Sequence, residues 1–475
     1  MRVAPSYAYD AVVIGSGPNG LAAAITMAQN GKSVIVYEAQ ETVGGGARSA
    51  ELTLPGFVHD VCSSVYPLAI GSPFFRSLPL AQAGLEWVQP PAALAHPFDD
   101  GSAVTQERSV EATAAQLGPD GLSYRKLMAP LVERWNGLDI DLLGPIRLPR
   151  HPWSLARFGL FGIQPARRLA ESHFRGKRAR ALFAGVAAHS MLPLDHWGSA
   201  AFGLVLGIAG HAVGWPVIRG GAQKLTDALT AHLSKLGGEI IAARPVKRID
   251  ELPSSRVILC DVTPRQLLEI AGERLSPVYQ KSLGRYRYGM GAFKLDWALS
   301  APVPWKATEC ARAATVHLGG TLEEIAFSEA SAWRGELVEK PFVLLAQPSL
   351  FDASRAPEGR HTLWGYCHVP NGSTFNVADR IESQIERFAP GFRDLVIGRS
   401  IMSPLELQKH NANLVGGDIN GGAASLGQLF FRPTSKMYGT SVKGLYICSA
   451  STPPGGGVHG MCGYFSATKA LKEMF

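Results

Sequence analysis

Gly15, Gly17 and Gly20 follow the short apolar run Ala11–Ile14, and Glu38 stands eighteen residues beyond Gly20 at the end of a second such run, Ser33–Glu38. Each residue type has a task in gripping a dinucleotide. Gly15 permits a sharp turn off a strand, Gly17 lets the main chain approach a diphosphate, and Gly20 lets helix and strand pack closely. Pro18 and Asn19 open the helix whose first-turn N–H groups and dipole face phosphate. The Glu38 carboxylate can accept both ribose hydroxyls. A lone GxGxxG is weak. Here strand, glycines, an Ala-rich helix stopped by Gly31, strand and acid arrive in order.

A second glycine group lies at the other end of the chain. Gly444–Ala450 reads as a strand, and Gly455, Gly457 and Gly460 repeat the GxGxxG spacing around Val458 and His459. Fifteen residues remain after Gly460, too few for another βαβ unit, which needs about thirty. These residues therefore close the first site, with a helix from Met461 pointing its N-terminus at it.

Other reactive side chains are scattered. His59, Asp60, His368 and His459 are the candidate proton carriers. Six cysteines form no CxxC and no Cys/His cluster, so no metal site is expected. They fit a reducing, cytoplasmic setting as free thiols. Cys62 and Cys462 are weighed as covalent cofactor tethers, but neither sits in an attachment motif.

The elements that must position these groups are carried by a 475-residue chain, 46% hydrophobic and 18% charged, with 52 glycines and no low-complexity tract. That length suits two or three domains. Leu225, Leu229, Leu233 and Leu236 make one helical stripe, followed by a strand over 239–243 and another at 256–260. Strand-like alternation marks 291–297 and 361–369. The run 198–215 is apolar but short for a membrane span, and is read as a buried or membrane-apposed helix. No secretory leader pattern opens the sequence.

The net charge of +7 is local. Residues 147–180 hold nine Lys or Arg against one acid, Glu171, interleaved with Trp153, Phe158 and Phe161. Such a segment suits peripheral contact with an anionic membrane, on its inner face. No nucleic-acid motif accompanies it, so nucleic acid is not an expected partner.

Gly44-Gly45-Gly46-Ala47-Arg48-Ser49, just past Glu38 and Ala39, resembles the second fingerprint of the amine oxidase and phytoene desaturase superfamily of flavoproteins. Leu54–Asp60, Phe293–Trp305, Gly416–Asp418 and Ser449–Gly463 carry the same resemblance along the whole chain. Within that superfamily the chain is most similar to the branch labelled pyridine nucleotide-disulfide oxidoreductase domain-containing. The resemblance implies FAD rather than a nicotinamide alone. It assigns Gly45, Gly46, Ala47 and Arg48 to the diphosphate and flavin, and the main chain at Val246 to adenine. Gly457–Met461 go to the flavin's pyrimidine end, with Ser449 standing where many relatives carry an acid for the ribityl chain.

The implied fold class is α/β, α+β overall. A Rossmann-like FAD-binding domain is assembled from both chain ends (1–70, 216–270 and 426–475). The inserted substrate domain combines a mixed sheet with helices (71–215 and 271–425), and 147–215 forms its helical, membrane-facing part. The implied activity is hydride transfer between an apolar, isoprenoid-like or lipid-like substrate and flavin N5, as dehydrogenase, desaturase or saturase. A flavin amine oxidase is the alternative. A prenyl-binding escort of the GDP-dissociation-inhibitor type is the non-enzymatic one.

Overall fold

The computed structural model describes residues 7–475. Five strands form a wholly parallel sheet in the order 445–447, 255–260, 9–14, 34–37, 239–241. Strands buried on both faces need apolar side chains throughout, which is why Ala11–Ile14 reads as a continuous hydrophobic run. The register aligns Ile14 with both Tyr37 and Cys260, and Cys260 with Ile447. Gly15, Glu38, Asp261 and Cys448 therefore leave the sheet along one carboxyl edge, where open α/β sheets bind ligands.

The helix Pro18–Gln29 packs beneath this sheet with ten buried residues. The C-terminal helix Met461–Met474 lies against it. Gln223–Lys235 buries Leu225, Leu229 and Leu233 as its stripe predicts. Leu236 departs from the stripe: it caps the helix end and is partly exposed. The following strand stops at Ile241, short of the expected 243, because Ala243 adopts a left-handed φ of 53°.

A second, mixed sheet has seven strands in the order 396–402, 291–299, 361–369, 343–346, 313–318, 92–97, 103–107. All neighbours pair antiparallel except 313–318 with 92–97. One face packs under the amphipathic helix Ala378–Phe388. The other faces a layer of helices including Lys177–Ala187 and Ser199–Ala212. The apolar run thus becomes a 14-residue helix inside this layer, with His211 bonded to the Tyr124 hydroxyl at 2.7 Å. Among the described residues no helix is long and apolar enough to cross a membrane.

Candidate functional site

One continuous cavity of about 830 Å³ runs from the carboxyl edge of the parallel sheet to the helix-facing side of the mixed sheet. The nucleotide end is built by the first glycine turn. Gly15 has φ +97°, and a Cβ on Gly20 would overlap the Gly15 carbonyl oxygen. Both positions require glycine: one for the turn, one for the close approach of the helix to that turn. A Cβ on Gly45 would stand 2.9 Å from Gly17 Cα, so the second glycine group is pressed onto the first.

Glu38 is buried and fully engaged. Oε2 accepts from the Ser16 N–H at 2.9 Å and from the Ser16 hydroxyl at 2.5 Å; Oε1 accepts from the Gln40 N–H at 2.9 Å. Asp261 holds the glycine turn from the neighbouring strand, accepting the Gly20 N–H at 2.9 Å. Burial pushes its carboxyl up to about 7; the Gly20 N–H opposes the shift and the Glu38 charge adds to it. Arg48 donates from Nε to the Gly45 carbonyl at 2.8 Å and meets His410 Nε2 at 2.7 Å. These bonds fix its guanidinium in the cavity wall.

At the closing segment, Ser449 donates to the Val262 carbonyl at 2.8 Å, tying the last strand to its neighbour. His459 accepts the Met461 N–H on Nδ1 at 3.1 Å, and its Nε2 has no protein partner. Asn19 Oδ1 is likewise buried without a partner. Two orphaned polar atoms on residues lining one cleft mark places where a bound polar molecule completes the hydrogen bonding.

The far end is apolar. Trp364 and Tyr366 stand two apart on one strand and face the cavity, ring centroids 5.2 Å apart at 73°. Leu344, Trp215 and Val205 continue the wall. His189 lies among them, its Nε2 3.0 Å from Nε2 of His317, one strand deeper. Burial pushes His189 down to about 3 and His317 well below the ordinary imidazole range, so both are neutral. One hydrogen is shared between the two facing nitrogens.

These features match known proteins over the whole chain. A family model described as an NAD(P)-binding Rossmann-like domain matches residues 13–76. The chain is 26% identical to pyridine nucleotide-disulfide oxidoreductase domain-containing protein 2 of Rattus norvegicus, covering 98% of this chain and 94% of that one. It is 23% identical to the neurosporene-forming phytoene desaturase of Rhodobacter capsulatus, covering 95% and 92%. The chain is similar to a phytoene desaturase over nearly its whole length. An oxidoreductase from Methanosarcina mazei shares the fold at TM-score 0.68, with 15% identity over 97% of this chain and 99% of that one. Cyclohexylamine oxidase from Brevibacterium oxydans does so at TM-score 0.61, with 16% identity over 99% of each.

The chain is thus an oxidoreductase similar to the phytoene dehydrogenases, with a Rossmann-like dinucleotide-binding unit and the fold of the amine oxidases. Its cavity is lined by Gly15, Gly17, Pro18, Asn19, Glu38 and Ala39 from the first motif, and by Gly45, Gly46 and Arg48 from the second. Val246, Ser449, Gly457, Val458 and His459 complete that end. Four expected residues stand behind the wall. Gly20 is pressed against the Gly15 carbonyl, and the Ala47 carbonyl accepts from Thr226 at 2.7 Å. Gly460 packs on Phe75, and Met461 is buried in the helix start.

Of the four candidate proton carriers, only His459 reaches the cavity. Asp60 is buried in a structural knot, accepting from Ser49, Ser64 and the Ala222 N–H and paired with Arg355 at 2.7 Å. His59 bonds Thr53 at 2.8 Å and lies 3.6 Å from Asp296; burial pushes it down to about 3. His368 is turned to Glu329 at 2.7 Å. All three were singled out by residue type, but their partners are protein groups rather than the cleft. Cys62 does line the cavity, its thiol pushed up by burial, while Cys462 points at the Thr452 and Gly455 carbonyls.

Sequence reasoning missed His189, His317, Asp261 and the Trp364–Tyr366 pair. The alternation Trp364, Tyr366, His368 was visible as a strand. Which face met a cavity was not, because both faces of that strand are covered. Lys294 was also overlooked: it is buried in contact with Asp296, 6.0 Å from the Trp364 ring, and Asp296 is pushed up to about 6 by burial.

Proposed function

We propose that the protein is an FAD-dependent oxidoreductase that moves a hydride between a carbon of an apolar, isoprenoid-like or lipid-like substrate and the flavin. The observation that carries this reading is the continuity of the cavity. A glycine cradle lined by the Glu38 carboxylate opens without interruption into an aromatic and aliphatic chamber. The orphaned Asn19 Oδ1 and His459 Nε2, the glycines at 15, 17 and 45, and Glu38 fit a bound FAD. When bound, FAD supplies a two-electron carrier able to take or give hydride at N5.

The chain's own residues do the rest. Glu38 and the first-turn amides hold the nucleotide. Trp215, Leu344, Trp364 and Tyr366 orient an apolar substrate and exclude water from the reacting carbon. In a desaturation one hydrogen leaves as hydride and the neighbouring one as a proton. His189 takes that proton. A C–H beside an electron-poor carbon is acidic enough for a weakly basic imidazole; Nδ1 takes the proton, since Nε2 of His189 faces His317. In a saturation His189 returns a proton to carbon. The domain division expected from sequence, 1–70 with 216–270 and 426–475 against the remainder, belongs to this reading.

An amine oxidase is the second reading. The near-perpendicular Trp364 and Tyr366 rings present π faces that suit an amine cation. Anaerobic flavin bleaching against polyprenyl, fatty and amine compounds separates the two. Bleaching by amines alone sinks the apolar-substrate reading. A colourless protein that cannot be reconstituted with FAD sinks both and favours a prenyl-binding escort.

A further inference from the structure

The apolar chamber keeps two hydrogen-bond donors that the fold leaves unused. Trp364 lines it, is 8% exposed, and its indole Nε1 is buried without a hydrogen-bond partner. Tyr366 lines it two residues on, and its hydroxyl bonds no protein group among the described residues. Burial, with the Glu329 charge adding to it, raises the phenol above its ordinary range, so it stays protonated and able to donate. The other indole in the wall shows the contrast: Trp215 gives its N–H to the Thr315 hydroxyl at 3.0 Å. Buried donors are normally satisfied, and an exception calls for a partner that the chain does not supply.

Strand register fixes where these donors stand. Tyr366 pairs with Leu344, and Leu344 with His317; two residues along, Trp364 pairs with Ala346, and Ala346 with Thr315. Residues paired across strands share a face of the sheet. Leu344 therefore floors a span of two strand spacings, about 10 Å. Trp364 and Tyr366 rise on one side of it, Thr315 and His317 on the other. His189 meets His317 at 3.0 Å through Nε2, which leaves its Nδ1 for the chamber. Donors on one side and a base on the other bracket a molecule lying over Leu344.

These groups select the chemistry of that molecule. An indole N–H only donates, so it repels an ammonium group and suits an acceptor. A carboxylate would be buried there without a countercharge. His189 and His317 are neutral, and Lys294, 6.0 Å from the Trp364 ring, is held by Asp296 and does not line the cavity. A neutral oxygen remains. A carbonyl oxygen accepts two hydrogen bonds at once, and it also makes the neighbouring C–H acidic enough for an imidazole.

We propose that Trp364 and Tyr366 bind the carbonyl oxygen of an apolar ketone, and that the carbon–carbon bond beside this carbonyl is the one desaturated or saturated. The redox step rests on the hydride-transfer reading above; the carbonyl site does not. In desaturation the α-carbon gives its proton to His189 Nδ1. The two hydrogen bonds hold the negative charge that gathers on oxygen. The β-hydrogen leaves with its electron pair to the flavin, and the C–H electrons left at the α-carbon form the double bond. The ketone becomes its conjugated enone, and saturation runs the same steps backward.

The probes are isoprenoid and fatty methyl ketones, their conjugated enones, and hydrocarbons of the same skeletons, bound to flavin-replete protein. Enones should bind about tenfold more tightly than the hydrocarbons. The C=O stretch of a bound enone should fall below its value in hexane. Tyr366→Phe removes only an oxygen that bonds nothing in the protein, so the unfolding midpoint should stay put. The enone preference should shrink by about threefold or more, and the C=O band should move back up. Trp364→Phe should act likewise, with hydrocarbon affinity reporting on the packing. Equal binding of enones and hydrocarbons overturns the proposal, since a trapped water is then the donors' partner. So does a C=O band that neither variant moves. Flavin bleaching by hydrocarbons but not by ketones also overturns it and leaves the hydride-transfer reading intact. A carbonyl preference that both variants erase, with bleaching by no probe, supports the carbonyl site and condemns that reading alone.

Discussion

Gly463, in the first turn of the C-terminal helix, rests directly on the carbonyl of Asn19 in the first turn of the helix that opens the glycine cradle. A Cβ at position 463 would overlap that oxygen and come within 2.9 Å of the Ala23 nitrogen. The two chain ends are locked at this crossing, and with them Gly17 and Gly457 on either side of one cleft.

Gly463→Val should therefore force the helices apart. A loss of roughly 3 kcal/mol or more in unfolding free energy is expected, together with loss of bound flavin. Gly159→Ala, where a Cβ meets nothing within 4 Å, is the matched control and should be neutral or slightly stabilising. Denaturant unfolding and flavin absorbance read both; equal effects at the two positions would refute the crossing's importance.

Glu38 links the cradle to the second strand by two hydrogen bonds from Ser16, and a third, from the Gln40 N–H, holds it locally. Glu38→Ala strips the Ser16 N–H and hydroxyl of their acceptor and removes the carboxylate proposed for ribose. FAD affinity should drop by roughly 10–100-fold, as for loss of charged hydrogen bonds. Glu38→Gln should lose less. Titration of apoprotein by flavin fluorescence measures it, and unchanged affinity in the Ala variant would count against the assignment.

Asp261 gives a pH signature. Its carboxyl titrates higher in the folded protein than in the unfolded chain, to about 7, because it is buried. The folded state then holds a proton that the unfolded state has already lost, so stability from this group falls as pH rises from the ordinary carboxylate range to about 7, and is level above. Asp261→Asn removes that slope. The variant should gain stability relative to the wild type between about pH 4 and about pH 7. Its FAD affinity should also lose its decline above neutrality, since ionised Asp261 repels a diphosphate at the adjoining glycines. Parallel profiles for the two proteins would disprove this.

Asp60 and His189 should separate structure from chemistry. Asp60→Asn leaves the buried Arg355 guanidinium without its countercharge and should cost about 3–5 kcal/mol of stability. Flavin reduction per folded molecule should hold. His189→Gln should keep fold and flavin, and slow substrate-driven bleaching by about 10²-fold or more. The reverse pattern, measured by stopped-flow on flavin-replete protein, would return the proton-carrier role to the segment around His59.

Much of the nucleotide end was legible in the chain itself. Gly15, Gly20 and Glu38 act through local backbone geometry, and a βαβ unit completes within thirty residues, so spacing alone carries the information. The fourteen lining residues named from the two motifs and the closing loop reach the cavity because short turns attach them to strand ends. Ala47 and Gly460 directly follow lining residues yet, with Met461, lie behind the wall. A single peptide step reverses which side a residue faces, and spacing does not fix that side.

The amino-acid sequence by itself determined the parallel-sheet core, the dinucleotide motif and the pairing of both chain ends at one site. Glycines, apolar runs and strand-terminal acids impose those locally. Only the tertiary structure decided that His189 and Tyr366 share a chamber with Gly17. It likewise placed His59, Asp60 and His368 against protein partners instead. The chamber joins segments more than a hundred residues apart, and it depends on how helices cover a sheet buried on both faces, where one side of a strand carries the same apolar pattern as the other.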